Sequence, residues 1–331
     1  MTDNRKIITI IALVLAGLLA ISTILILIFD KDSSVPTGAP VETVEPENTE
    51  MPTDAPTEVP TAEPTPVPAT PTPVPTAVPT PKPTIKPVTS LAGLSTASNG
   101  WWYGQYKGTV DGIEQYDYKT PENLGDLVHK YGGITGHGSG KMAYLTFDEG
   151  YENGFTPKIL DVLKAKNVKA IFFVTGDFVE QEPELIKRMY NEGHIIGNHT
   201  DNHPRMPEQT DDRFKKELLD VEEKVNNVLG IQYDMKYYRP PEGKFSERDL
   251  ALASQMGYKA VFWSFAHVDW EHPKEPSQDL LDKTYKRIIQ SIHEQEVLLL
   301  HAVSSANTAV LGDVIDYYRS QGYTFGTMED L

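Results

Sequence analysis

The chain contains no cysteine, which excludes disulfides and thiolate metal sites together. Any metal must be held by nitrogen and oxygen ligands, and stability must come from packing. Positive charge is also scarce. The 30 Lys and Arg stand against 47 Asp and Glu, leaving a formal charge of −17 at pH 7. Such a surface gives no electrostatic footprint for nucleic acid and repels polyanions, so a neutral or weakly charged substrate fits better. Long apolar runs are missing too, except for one near the N-terminus.

That run, Ile7 to Phe29, carries no charge and is long enough to cross a bilayer core of about 30 Å as a helix. A cleavable signal peptide would be shorter and followed by a small-x-small site. Here Leu25-Ile26-Leu27-Ile28-Phe29 runs straight into Asp30-Lys31-Asp32, so an uncleaved anchor over 7–29 is expected. Arg5 and Lys6 keep residues 1–6 cytoplasmic by the positive-inside rule, which makes this a single-pass cell-membrane protein whose remainder lies outside, at the cell wall. Residues 30–90 are rich in Pro, Thr and Glu, as in Thr65-Pro66-Val67-Pro68-Ala69-Thr70-Pro71. Proline removes donors and little apolar surface is available for burial, so this segment is expected to be a disordered stalk. At about 3.1 Å per residue in polyproline-like extension it would span on the order of 150 Å. Residues 91–140 form an expected N-terminal extension packing on the following domain. In it, Trp101 and Trp102 either stack on sugar rings or cover the domain's flank.

From Lys141 to the end, short apolar runs alternate with amphipathic ones. Strands are expected at Met142 to Phe147, Ala170 to Val174, Ile195 to Gly197, Tyr237 to Arg239, Ala260 to Trp263, Val297 to Leu300 and Tyr323 to Phe325. Between them lie helix signals: Thr156 as N-cap before Pro157, Pro183 opening a segment to Glu192, Ser246 capping a helix ended by Gly257, and Gly230 and Gly322 closing others. The helix Asp212 to Leu229 shows a core-facing stripe of Phe214, Leu218, Val221, Val225 and Val228. This alternation predicts an α/β fold with a parallel sheet. Asp148, His199, Arg239, Asp269 and His301 each follow an expected strand, as they would at the C-terminal rim of a β/α barrel. The expected architecture is a deformed, incomplete barrel of about seven parallel strands.

The same residues carry the candidate chemistry. His199 and His203 are four apart, a spacing at which two imidazoles can meet on one helical face and grip a metal ion. His194, at the start of its strand, reads as structural. Asp148 and Glu149 are adjacent carboxylates ahead of Gly150, one able to face a metal and the other to take a proton from water. Arg239 lies in Tyr238-Arg239-Pro240-Pro241-Glu242-Gly243, a rigid turn that can aim a backbone N–H at an oxyanion, while its guanidinium can clamp a carboxylate bidentately. Asp269 can orient and charge His301, which can then protonate a leaving amine. Trp270 and Leu300 can close a small apolar pocket the size of a methyl group.

Taken in order, Thr146-Phe147-Asp148-Glu149-Gly150, His199-x-x-x-His203, Arg239-x-Pro241-x-Gly243, Asp269-Trp270 and Leu298-x-Leu300-His301 resemble the five motifs of polysaccharide deacetylases, carbohydrate esterase family 4, over residues 141–331. Gly150-Tyr151-Glu152-Asn153-Gly154, Val268-Asp269-Trp270, His301-Ala302-Val303-Ser304 and the upstream Asn99-Gly100-Trp101 resemble in particular the delta-lactam-biosynthetic de-N-acetylases of spore-forming bacteria. The resemblance implies removal of the acetyl group from N-acetylmuramic acid in peptidoglycan, leading to muramic delta-lactam. It also implies Asp148 as base held by Arg239, His199 and His203 as metal ligands, an oxyanion donor at the backbone N–H near Glu242, and His301 as general acid paired with Asp269. Glu242, Gly243, Trp270 and Leu300 would contact substrate. The implied cofactor is a divalent metal, zinc first, with cobalt, manganese or magnesium as alternatives, and no nucleotide cofactor. The implied partners are peptidoglycan glycan strands. Two positions depart from the pattern. Glu149 stands where the family has aspartate and the lactam subgroup often asparagine, so whether it is the third ligand is open. Glu242 replaces the commoner tyrosine or arginine. The competing readings are deacetylation of N-acetylglucosamine residues and a catalytically impaired wall-glycan-binding protein. A zinc peptidase is disfavoured because no glutamate follows His199.

Overall fold

The computed structural model describes residues 88–101, 105–110, 113–117, 122–136, 138–271 and 273–331. The expected anchor at 7–29, residues 30–87 of the expected stalk, and Trp102 lie outside them.

Strand–helix alternation dominates after residue 141. Ahead of it come β1 (Asn99–Gly100), the antiparallel pair β2 (Gln105–Val110) and β3 (Ile113–Asp117), and α1 (Glu122–Lys130). The alternation then runs β4 (Met142–Glu149), α2 (Thr156–Lys166), β5 (Ala170–Val174), α3 (Gly176–Gln181), α4 (Pro183–Asn191), β6 (Ile195–Asn198), α5 (Asp211–Leu229) and β7 (Tyr237–Tyr238). It continues through β8 (Lys244–Phe245), α6 (Glu247–Gln255), β9 (Lys259–Ala260), α7 (Gln278–Ile289), β10 (Glu296–His301), α8 (Ser305–Ser320) and β11 (Thr324–Phe325).

Seven of these strands form one sheet in the order β10-β4-β5-β6-β7-β9, with β11 pairing β4, and every pairing in it is parallel. The physical reason is visible in β4 and β5. Every residue of Ala170–Val174 and all of β4 after Met142 are buried, which is what a parallel strand covered on both faces requires. The sheet curls into a deformed barrel. Its edges, β9 and β10, are joined by the irregular stretch 261–265: Val261 bridges Ile134, Phe265 bridges Leu298, Ser264 N–H donates to Val297 (3.0 Å) and Leu299 N–H to Phe265 (2.8 Å). The strand expected over Ala260 to Trp263 therefore ends at Ala260, because the chain must leave β7 there and cross to β10.

Most element ends follow from local chemistry. Ser246 and Asp249 form a reciprocal capping box at α6, and Pro183 opens α4. Gly230 closes α5 with φ 68°. On α5, Phe214, Leu218, Val221 and Val225 are buried and Val228 partly so. Thr156 is not the cap of α2 but its first residue, after Phe155. Its hydroxyl donates instead to Glu149 (3.2 Å). Trp101 is buried, its indole N–H donating to Trp263 O (2.8 Å) and its backbone N–H to Gly243 O (2.8 Å). In this structure it covers the barrel and is not available for stacking on a sugar. His194 is structural: it accepts from Ala170 N–H at the opposite end of the sheet (3.2 Å), and burial pushes it down to about 4.

Glu296 opens β10 at that same far end. It is fully buried and accepts from Ser291 (3.0 Å) and Tyr318 (2.8 Å). Burial outweighs these bonds and pushes its carboxyl up to about 8. Between about pH 4.5 and 8 the folded chain thus holds a proton that the unfolded chain has released, so stability falls as pH rises, by at most about 1.4 kcal/mol per pH unit. Glu296→Gln, which imitates the protonated acid, should flatten the decline of thermal midpoint over that range. An unchanged slope in the variant would remove Glu296 as its source.

Candidate active site

Parallel register sets the rim. His301 pairs with Asp148 across β10 and β4, and Asp148 with Phe173 across β4 and β5. Side chains at one level of a parallel sheet share a face, so the base and acid candidates begin as neighbours.

Asp148 is buried, and its Oδ1 accepts from Arg239 Nη1 at 2.7 Å. The clamp is single, not the expected fork: Arg239 Nε donates to Val261 O (3.2 Å), and Nη2 is buried without a hydrogen-bond partner. Asp148 Oδ2 instead lies 3.5 Å from His199 Nε2. Burial alone would raise the Asp148 pKa, but the charges of Arg239, His199 and His301 and the Arg239 hydrogen bond hold it below the usual carboxylate range. Arg239 is fully buried and stacked over Phe173 at 4.2 Å.

His199 and His203 meet, with ring centroids 4.8 Å apart at 73°. They do so on a loop and not on the helical face that their spacing suggested. Asn198 Oδ1 accepts from Thr200 N–H (2.9 Å), and Thr200 (φ 69°) and His203 (φ 53°) take left-handed backbone. The loop is pinned from α5 by Glu217. Its backbone O accepts from Asp201 N–H (3.0 Å), and its buried carboxylate accepts from Asn202 N–H (2.8 Å) and pairs with Arg213. Gly176 makes room beneath, since a Cβ there would fall 1.7 Å from Asp201 Oδ1. His199 Nδ1 sits 2.9 Å from Arg239 O. A carbonyl only accepts, so Nδ1 carries the proton and Nε2 is left with its lone pair. Burial, ahead of all other causes, pushes His199 down to about 4.

On the other side, His301 Nδ1 donates to Asp269 Oδ1 (2.6 Å) and His301 backbone N–H to Asp269 Oδ2 (2.8 Å). Asn307 Nδ2 donates to the same carboxylate. Burial disfavours a charged imidazole, but the bond to Asp269 and its charge outweigh that and hold His301 above its usual range. Trp270, exposed, meets the His301 ring edge-on at 5.2 Å. Leu300 is buried level with Phe147.

The turn at 241–243 is as rigid as its prolines suggest. Glu242 is left-handed (φ 55°, ψ 12°). A Cβ on Gly243 (φ 62°) would fall 2.8 Å from the Trp263 ring, so only glycine fits. Gly243 N–H donates to Pro240 O and Lys244 N–H to Pro241 O, which leaves the Glu242 N–H as the turn's remaining amide.

Glu149 stands apart. It shares its level with Val174 and Asn198, and the Asn198 amide bonds Leu218 O on α5 (2.8 Å), away from the rim. Glu149 is fully buried against Thr156. Burial first, then the charges of Glu152 and Asp148, push its carboxyl well above the usual range. Among the described residues no three His, Asp or Glu side chains converge tightly enough to hold a metal ion, so Glu149, left open as a third ligand, does not join His199 and His203. Strand alternation is the reason: adjacent residues point to opposite faces.

Three supporting residues escape a sequence reading. Glu217 is one carboxylate within an apolar helical stripe, Asn198 ends a short strand, and Asn307 lies in the first turn of α8 after its Ser304 cap. Only Glu217 carries a signal, as a charge beside Phe214 and Leu218 on the buried face.

Residues 135–261 match the sequence family described as polysaccharide deacetylase. The chain is 46% identical over 211 residues to the peptidoglycan-N-acetylmuramic acid deacetylase PdaA of Bacillus subtilis, covering 63% of this chain and 79% of that protein. A solved structure of Bacillus subtilis PdaA, described as a family 4 carbohydrate esterase, superposes with a TM-score of 0.63 at 41% identity, covering 72% of this chain and 98% of that one. A peptidoglycan-N-acetylglucosamine deacetylase of Bacillus cereus is 35% identical over 191 residues, covering 56% of this chain and 66% of that protein. With its parallel barrel, its rim of charged residues and these likenesses, the chain belongs to the polysaccharide deacetylase family.

Proposed function

We propose that the chain hydrolyses the N-acetyl amide of N-acetylmuramic acid in peptidoglycan, the first step toward muramic delta-lactam. The observation that carries this reading is the opposed tuning of two groups at one level of the barrel. Asp148 is held ionised and His301 is held charged, the arrangement in which one carboxylate accepts a proton and one imidazolium donates it. Asp148 Oδ2, the oxygen not bonded to Arg239, takes the proton of the attacking water. The Glu242 N–H, in its rigid turn, donates to the oxyanion that develops on the carbonyl. His301 Nδ1 is engaged by Asp269, so Nε2 delivers the proton to the departing amine. The exposed Trp270 and Tyr151 offer rings on which the sugar can stack.

The two histidines suit a divalent cation, zinc foremost: burial keeps His199 neutral, its tautomer is fixed by Arg239 O, and its ring meets that of His203. When bound, such an ion polarises the amide carbonyl and acidifies water. His199 and His203 would hold it; Glu149, on the other face of β4, would not. Ahead of this domain, Ile7–Phe29 would anchor the chain in the membrane and residues 30–90 would carry the enzyme into the wall.

Five outcomes test these assignments. Acetate should be released from stripped glycan strands, with product mass spectrometry placing the free amine or lactam on muramic acid. A free amine on glucosamine alone would favour the alternative that the Bacillus cereus relative raises. Asp148→Asn and His301→Ala should each lower the rate by about 10²–10⁴-fold. The alkaline limb of kcat should lie above the ordinary imidazole range and move downward in Asp269→Asn, because burial then acts on His301 without its counter-charge. In calorimetric zinc titrations, His203→Ala should lose most of the affinity and Glu149→Gln should keep it within a few-fold; equal losses would place Glu149 in the metal site. Finally, the full chain should stay with membranes through alkaline carbonate extraction and be released by deletion of residues 7–29.

A further inference from the structure

One ion pair joins the two loops that frame the site. Arg205, two residues after His203, donates from Nε to Glu242 Oε2 at 3.0 Å, with Nη1 3.9 Å from Glu208. Both partners are largely exposed, the Arg205 side chain by 56% and that of Glu242 by 44%. A pair this exposed adds little stability, commonly about 0–1 kcal/mol. Its position matters more. Glu242 belongs to the oxyanion turn and Arg205 to the histidine loop, so the guanidinium is brought to the mouth where the scissile amide must enter.

N-acetylmuramic acid differs from N-acetylglucosamine by a lactyl ether, whose carboxylate hangs from the ring carbon next to the one bearing the acetamide. A site that favours the first sugar needs a cation beside the oxyanion turn, on a chain whose net charge is −17. Arg239 is buried and committed to Asp148 and Val261. The Lys244 side chain lies along Gly100, its Nζ 3.0 Å from where a Cβ would sit. Arg205 is exposed and uses only Nε on Glu242. Arginine's planar fork can take a carboxylate on its Nη atoms while keeping that bond.

Building on the function proposed above, we propose that Arg205 determines specificity by binding the lactyl carboxylate of the muramic acid substrate, with Glu242 holding the guanidinium in place while the site is empty. Glu242 and Glu208 also repel the incoming anion, so the carboxylate is admitted only through Arg205 and the selectivity depends on that one cation.

The test uses the full chain and compares kcat/KM on three glycans: stripped strands with free muramic carboxylates, the same strands with those carboxylates amidated, and N-acetylglucosamine oligomers. Parent activity on the first glycan establishes the deacetylase reading by itself, so its absence would count against that reading and not against Arg205 alone. Given that activity, amidation should lower the parent's kcat/KM about tenfold or more, chiefly through KM. Arg205→Ala should lose the same factor on free strands and become indifferent to amidation, while Arg205→Lys recovers part of it. Glu242→Gln, which loosens the hold on the guanidinium, should raise KM for free strands, and by a smaller factor than Arg205→Ala does. Equal losses of kcat on all three glycans in both Arg205→Ala and Glu242→Gln would mean that the pair only braces the loops, and would overturn the proposal. So would a parent that ignores amidation.

Discussion

A guanidinium buried against a single carboxylate organises this site. Placing Arg239 wholly inside the barrel removes a permanent charge from water, and such burial is tolerated only where a counter-charge and hydrogen bonds compensate it. Asp148 supplies the charge, Val261 O a second acceptor, and the Phe173 ring a face to lie on. The same residue's carbonyl accepts from His199, which fixes that imidazole's tautomer. One position thus holds Asp148 in its ionised form through its side chain and orients His199, proposed above as a metal ligand, through its main chain. Substituting Arg239 would leave a buried carboxylate without its partner, whereas the main-chain carbonyl that fixes the His199 tautomer would remain in any variant.

Burial works in opposite directions on the groups around this pair. It would neutralise Asp148, Asp269 and His301 alike, yet each retains its charge because an opposite charge is held against it. His199 has no such dominant partner and stays neutral, as a ligand must. The barrel's dry interior therefore sorts side chains by the company each one keeps, and that sorting separates the proton acceptor from the proton donor.

Much of this was legible in the sequence. Strand–helix alternation, Pro183, Ser246 and Gly230 marked the elements, and the run of polar residues after strands marked the rim. Asp148, Arg239, Asp269 and His301 come together as their positions suggested. At two places nearness in sequence does not translate directly into nearness on a surface. His199 and His203 meet through left-handed turns at Thr200 and His203, since the loop's polar groups are satisfied by Asn198 and Glu217 and not by a helical ladder. Glu149 follows Asp148 directly but faces the other way, because β4 continues as regular strand through residue 149. Contacts across 30 to 70 residues, such as Asn307 with Asp269, leave no periodic trace at all.

The grip of Asp269 on His301 has a further consequence. One carboxylate holds both the ring, through Nδ1, and the chain, through the backbone N–H, while Asn307 closes the remaining side. The donor's ring orientation and its place along β10 are therefore set by a single group. A small carboxylate such as formate carries the same two oxygens, but without a side chain to tether it the anion would be held only by the two donors of His301 and by Asn307. Truncating Asp269 therefore loosens the ring and the end of β10 together, so its cost falls on where the donor sits as well as on its charge.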